Sequence, residues 1–282
     1  MRTFFCDKEI KLSRFLLEKY EGELSFSTLN KLLRKKDVKL NGKRISKDVL
    51  IKKGDVINVY FDGAAVKLDH EILFEDENVL IAVKPKGITS ENFFKALKEE
   101  KKELYFCHRL DRNTDGIMAF AKNEEAYKEL FNGFKKRTFI KNYFALVSGI
   151  FEKKEGELVA YLNKNAVDST VKVYDEPKKD TKKIVTAYKV IKEDNARGFS
   201  LVDVRLITGR THQIRAHLAH VGHFVLGDDK YGVRKISEKF GAKGLALSAY
   251  SLVLKFDKSE KLYYLDGKNF VYEGAECANF FN

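Results

Sequence analysis

Apolar positions recur at helical spacing twice near the start of the chain, at Leu12, Phe15 and Leu16 and again at Leu29, Leu32 and Leu33, which predicts two short helices. Ser25 and Ser27 stand where the second helix would be N-capped, and Arg34-Lys35-Lys36 closes it. The period then drops to two. Val38-Lys39-Leu40 meets Asn41-Gly42, the strongest short hairpin signal, and Lys43-Arg44-Ile45 returns. A further strand is predicted from Val56 to Phe61, after Gly54-Asp55. Asp62-Gly63-Ala64-Ala65 reads as the start of a linker.

Beyond the linker, strand patterns dominate. Ile72 to Phe74 and Val79 to Val83 read as strands, the second leading into Lys84-Pro85-Lys86-Gly87. A helix from about Glu91 to Glu100 and an apolar strand, Ile117 to Ala121, come next. Glu124 to Phe134 has amphipathic periodicity, with Tyr127, Leu130, Phe131 and Phe134 as its core stripe. In the strand Lys141 to Val147, Tyr143 and Ala145 share one face and Phe144 and Leu146 the other. Residues 150–182 offer only strand fragments and a loop at Asp175 to Lys179. Lys183 to Ile191 and Phe199 to Ile207 are predicted strands, as are stretches around Leu245 to Lys255 and Lys261 to Leu265. Between these pairs Gly209 turns the chain, and Thr211 is placed to cap a helix.

Composition adds a partner class. The 282 residues carry a net charge of +12, as expected of a protein that binds a polyanion. Residues 1–62 hold fifteen Lys or Arg against nine Asp or Glu, so half of the net charge lies in under a quarter of the length. Three scattered cysteines (Cys6, Cys107, Cys277) give neither a disulfide framework nor a cysteine metal site. No apolar run of membrane-spanning length and no signal-peptide pattern is seen, so the expected location is the cytoplasm, with no membrane association.

Candidate chemistry concentrates in two stretches. His108-Arg109-Leu110-Asp111-Arg112-Asn113-Thr114-Asp115-Gly116 sets a carboxylate between two guanidinium groups before a turn and a buried strand. An ionised Asp so placed can be a nucleophile, a base or a metal ligand, or simply the acid of a surface ion pair. The second stretch runs from Thr208 through Arg210, His212 and Arg215 to His223. His212 and Arg215 are three residues apart on a predicted helix, and Arg210 lies at its N-terminus, a favourable place for phosphate. Four histidines within twelve residues raise a metal reading, but no carboxylate accompanies them and no H-E-x-x-H pattern exists. Phosphate-loop, dinucleotide, serine-elbow and Cys–His signatures are all missing from the sequence. Carboxylate chemistry at a glycosidic bond, without cofactor or metal, is the class that fits, and residues alone carry it no further.

"LNKLLRKKDVKLNGKRI" and "IKKGDVINVYF" resemble the S4 RNA-binding domain, which implies Arg34, Lys35, Lys36, Lys43 and Arg44 as phosphate contacts. "HRLDRNTDGIMAFAKN", "KNYFALVSG" and "LITGRTHQIRAHLAHVGHFVLGDDKYG" resemble the RluA family of pseudouridine synthases over about residues 70 to 255. The resemblance implies an α+β fold with a mostly antiparallel, bent or split sheet flanked by helices, preceded by a small α/β S4-like domain. The boundaries it suggests are 1–62, a linker 63–69 and a catalytic domain 70–282. It also implies Asp111 as the catalytic aspartate, Arg215 as its ionic partner, and Tyr143 as the residue that stacks on the base and acts in removal of the C5 proton. Arg109 would fill the gap left by a flipped uridine, Leu247 would pack on the base, and Arg210 and His212 would be RNA or structural contacts. Ribosomal RNA of the large subunit is the implied partner, with transfer RNA the alternative, and a monomer needing no cofactor or metal is expected.

Two positions depart from the family pattern. Thr114-Asp115-Gly116 stands for the usual Thr-Ser-Gly, and "LSAY" after Ala246 for the usual Leu-His-Ala. Asp can replace Ser as a turn-capping side chain, but a second carboxylate so close either raises the pKa of Asp111 or recruits another cation. The rival readings are a non-catalytic RNA-binding protein and a metal-dependent nuclease built on Asp111 and the histidines.

Overall fold

The asparagine–glycine turn forms as its residues require. Asn41 and Gly42 both take positive φ (49° and 79°), the twist that a two-residue hairpin needs. Asn41 secures the turn by accepting from Val56 N–H and donating to Asp55. In the computed structural model, which describes residues 1–20, 24, 26–61, 70–101, 103–165, 170–239 and 244–275, the chain divides into two compact units, Met1–Asp69 and His70–Asn282. The expected linker, Ser25 and Cys277 lie outside the described residues.

The first unit runs β1 (Arg2–Phe5), β2 (Ile10–Lys11), α1 (Leu12–Lys19), α2 (Phe26–Arg34), β3 (Val38–Leu40), β4 (Lys43–Ile45), β5 (Leu50–Ile51) and β6 (Val56–Val59). Its main sheet is antiparallel in the order β1-β6-β3-β4, and Leu12, Phe15, Leu16, Leu29 and Leu33 pack into its core. Ser27 lies inside α2 rather than at its cap. Lys36 (φ 58°) ends that helix in a Schellman motif, with Asp37 N–H donating to Leu32 C=O and Lys36 N–H to Leu33 C=O.

The second unit begins with β7 (Ile72–Glu75), β8 (Val79–Lys84), α3 (Ser90–Glu100), β9 (Tyr105–Phe106), β10 (Asp115–Ala121), α4 (Glu124–Lys136) and β11 (Ile140–Ser148). It continues through β12 (Glu155–Asn165), β13 (Thr170–Tyr174), β14 (Lys182–Asp194), β15 (Phe199–Leu206), α5 (Gln213–His220), α6 (Arg234–Lys239), β16 (Leu247–Val253) and β17 (Asn269–Val271). Among the described residues these strands form one sheet of eleven, ordered β13-β12-β14-β15-β11-β16-β10-β8-β7, with β9 on β10 and β17 on β16. Every pairing is antiparallel except β10 with β16, a parallel contact of two residue pairs, Asp115 with Ser248 and Gly116 with Ala249. That short junction splits the sheet into two antiparallel halves. Gly116 sits in it at φ +120°, where an added Cβ would lie 2.2 Å from Ala249 C=O. No described helix is long and apolar enough to cross a membrane.

Several local expectations are corrected. Phe131 is 40% exposed, because α4 turns Ala126, Leu130 and Phe134 toward the core instead. The uninformative region 150–182 contains the long strand β12, whose Ala160 and Leu162 are buried while Val159 beside them is 50% exposed, so the run Leu158 to Leu162 shows no apolar–polar alternation. Lys261–Leu265 is a 3₁₀ helix, since Leu262 and Leu265 are the buried pair at a spacing of three. Thr211 does not cap α5; His212, at φ 52°, occupies that position.

Candidate active site

The loop before β10 is fastened on both sides of Asp111. His108 is half-buried, stacks on Phe134 with ring centroids 3.9 Å apart, and accepts Ala119 N–H at 2.9 Å through Nε2. Burial, aided by the charge of Lys141, pushes its pKa down to about 3, so it packs as a neutral ring. Ser90, wholly buried, bonds both Leu110 N–H (2.8 Å) and Leu110 C=O (2.9 Å). Lys84, at the end of β8, is also wholly buried and donates to the carbonyls of Pro85, Ile88 and Arg112 at 2.9, 3.0 and 3.2 Å. Burial lowers its pKa to about 8 against the raising influence of Asp115 and Asp111. These anchors leave the carboxylate of Asp111, 26% exposed, facing a cavity of about 760 Å³.

The opposite wall is α5, and Gln213 sets where it starts. Its Oε1 accepts from Thr208 Oγ1 (2.8 Å) and Arg210 N–H (3.1 Å), while Nε2 donates to Val185 C=O (3.1 Å) and Thr186 Oγ1 (3.0 Å). Two residues on, Arg215 is 4% exposed and its guanidinium is divided between carboxylates. Nε and Nη2 bind Asp228 at 2.7 and 2.6 Å, and Nη2 also reaches Asp229 at 3.2 Å. Nη1 is left to point at Asp111 Oδ2, 3.5 Å away. Asp228 is itself fixed by the N–H groups of Lys230 (2.9 Å) and Tyr231 (3.1 Å). His212 Nδ1 lies 2.9 Å from Tyr231 Oη and its Nε2 4.0 Å from Asp111 Oδ2. Burial and the charge of Arg215 outweigh the Asp111 carboxylate and hold His212 below the usual imidazole pKa.

The floor comes from β11 and β16, where Tyr143 and Leu247 are both buried and both line the cavity. Burial, and after it the negative charge of Asp111, raises the pKa of Tyr143, so the phenol keeps its proton at neutral pH. An aromatic face and an apolar side chain beside a carboxylate held by an arginine suit a planar base attached to a reacting sugar carbon.

Residues 78–220 match the family model described as RNA pseudouridylate synthase. The chain belongs to that family. It is 31% identical over 264 residues to the ribosomal large subunit pseudouridine synthase C of Vibrio cholerae, covering 83% of this chain and 82% of that one. An uncharacterized RNA pseudouridine synthase of Aquifex aeolicus is 31% identical over 254 residues, 82% of this chain and 79% of the other. Among solved structures, human RNA pseudouridylate synthase domain containing 1 superposes with a TM-score of 0.61 at 25% identity, over 73% of this chain and 90% of that one.

The cleft of the synthase brings together Asp111, Tyr143, Arg215, Leu247, Arg109, Arg210 and His212. Arg109 stands at the rim, its side chain 72% exposed and 3.5 Å from Glu91. Arg34, Lys35, Lys36, Lys43 and Arg44 belong to the other unit, where Arg44 donates to Lys36 C=O at 2.7 Å. The histidines diverge: His217 bonds Thr186, His220 bonds Asp175 and His223 bonds Ser148 C=O. No group of three or more His, Cys, Asp or Glu is arranged to hold a metal among the described residues. Sequence reasoning missed Lys84, Lys141, Asp228 and Tyr231. The first stood in "KPKG" and the last two in "GDDKYG", stretches noted without assigning these side chains a task.

Proposed function

We propose that the synthase isomerises uridines of large-subunit ribosomal RNA, with Asp111 as the nucleophile. The observation that carries this reading is the reach of Arg215 to Asp111 within a cleft floored by Tyr143 and Leu247. The Asp111 carboxylate adds to C1′ as the C1′–N1 bond breaks, and the bonding pair leaves on uracil N1. The detached uracil turns against Tyr143 and Leu247, and C5 displaces the carboxylate from C1′. The C5 proton then departs and N1 takes one up, so no atom is gained or lost. With its phenol protonated, Tyr143 serves in stacking and hydrogen bonding, and the released Asp111 carboxylate is the base at hand for C5. Arg109, exposed at the rim, fills the space of the flipped nucleotide.

The name of the relative in Vibrio cholerae supports ribosomal RNA as the substrate. The S4-like reading of the first unit is supported by its helix–helix–hairpin order and by the fan of Arg34, Lys35 and Lys36 around the end of α2. All the proposed cleft residues come from one chain, so a monomer working on RNA in the cytoplasm suffices. The test is incubation with ribosomal and transfer RNA transcripts, then mapping of carbodiimide-dependent reverse-transcription stops. Wild type should create stops in large-subunit RNA that Asp111→Asn does not. Identical maps for the two proteins would remove the catalytic assignment, and stops confined to transfer RNA would remove the ribosomal one.

A further inference from the structure

Lys141 is a charged side chain of the cleft that the reaction above does not use. It lies on β11 two residues before Tyr143, and both line the cavity. It is half-buried, and it has no hydrogen bond or ion pair among the described residues. Its surroundings make that unusual for an ammonium. The Phe134 ring centre is 5.9 Å from Nζ, His108 beside it is neutral, and Arg137 adds a like charge. Burial and Arg137 together lower its pKa, the signature of a cation held without a counter-ion. The one carboxylate lining the cavity, Asp111, faces Arg215.

The ammonium also lies against the turn that carries Arg210. A Cβ added to Gly209 would come 3.6 Å from Lys141 Nζ, an ordinary van der Waals contact, so the ammonium stands within reach of that turn. Arg210 is exposed and lines the same cavity, its backbone N–H is committed to Gln213, and its guanidinium has no acidic partner among the described residues. Two cations that line one cavity, neither with an acidic partner among the described residues, suit an anion.

We infer that Lys141 and Arg210 form a phosphate cradle that holds a phosphodiester of the RNA next to the target nucleotide. This rests on the reading of the cleft as an RNA site. A phosphodiester offers anionic oxygens to both cations, whereas the neutral uracil base would leave both uncompensated. Holding the backbone beside Gly209 also fixes how far the flipped sugar enters toward Asp111.

The test compares wild type, Lys141→Met and Lys141→Arg in binding a short single-stranded oligouridylate over a salt series. Lys141→Met should lower the slope of log affinity against log salt by about 0.7, the share of one phosphate contact on a single strand. Lys141→Arg should restore the slope. Because Met removes a half-buried, unpaired cation, Lys141→Met should melt no lower than wild type, which separates lost binding from lost folding. Neutral methylphosphonate linkages introduced one at a time should weaken wild type most at one position, and weaken Lys141→Met less there. An unchanged slope, or linkages that weaken both proteins equally, overturns the cradle while wild-type binding stands. Absence of salt-dependent binding by wild type overturns the RNA reading of the cleft, and the cradle with it.

Discussion

Asp228→Asn removes a charge, but no volume, from the carboxylate that grips Arg215 through two nitrogens. The Asp228 side chain is fully buried and accepts four N–H groups, two from Arg215 and one each from the backbones of Lys230 and Tyr231. Asn keeps one acceptor oxygen. Its amide would turn an N–H donor toward Arg215 Nε, where the native contact is 2.7 Å. Truncating one partner of a buried ion pair costs about 3–5 kcal/mol, mostly from the stranded charge. Here Arg215 retains Asp229 at 3.2 Å and Asp111 at 3.5 Å, which places the expected loss near the lower end, about 3 kcal/mol at pH 7. Burial alone would raise the pKa of Asp228, but the hydrogen bonds and charge of Arg215, then the two backbone N–H groups, outweigh it and hold it low. A depressed carboxylate contributes stability above its unfolded pKa and loses it as pH falls through the folded one. The gap between wild type and Asp228→Asn in urea titrations should therefore be full at pH 7 and close below about pH 4. Asp228 is a positioning residue, so kcat should drop by about tenfold or more with little change in RNA affinity, since a misplaced guanidinium spoils geometry rather than binding. A stability change under about 1 kcal/mol at pH 7, or a gap that does not depend on pH, would refute the reasoning.

Gly116→Ala should cost about 4 kcal/mol or more, combining backbone strain at φ +120° with a Cβ driven into Ala249 C=O, whereas Gly54→Ala, with open space at φ +93°, should cost about 1 kcal/mol. Urea midpoints of the two variants check the contrast. Replacing Lys35, Lys36 and Arg44 together by Ala should weaken RNA binding and lower the salt slope by up to about 0.9 per lost phosphate contact. An unchanged slope would remove the first unit from RNA recognition.

Sequence signals are legible where one element's own residues decide its form. The Asn41-Gly42 hairpin needs only two positive-φ positions, and β10 is a run of seven buried residues bounded by a turn. The same holds for the meeting of Asp111, Tyr143 and Arg215, because long motifs carry it. The features hidden from the sequence depend on partners distant in the chain. Asp228 reads as a turn aspartate until Arg215, thirteen residues earlier, folds onto it. Lys84 reads as the polar end of a strand, yet three carbonyls from two loops consume its donors and bring it inside. No period of two marks β12, since Leu158 to Leu162 are all apolar or aromatic, and its buried face, Ala160 and Leu162, is chosen by Val171, Ile184 and Ala216 packing on it.

The two departures from the family pattern, Asp115 and Ser248, lie 133 residues apart and have no visible relation in the sequence. In the fold they are register partners at the parallel junction of the sheet, and Ser248 Oγ donates to Asp115 Oδ1 at 2.7 Å. A carboxylate is acceptor-only, and in a site this buried it demands a donor opposite; serine supplies one in little volume. The two changes are therefore one. The added charge is met locally, with Lys86 Nζ at 3.7 Å and Lys84 close enough to feel Asp115 more strongly than Asp111. Asp115 thus draws its own cations from the Lys84-Pro85-Lys86 turn and leaves Arg215 to Asp111, which keeps a second acid beside the nucleophile from dividing the one guanidinium that faces it.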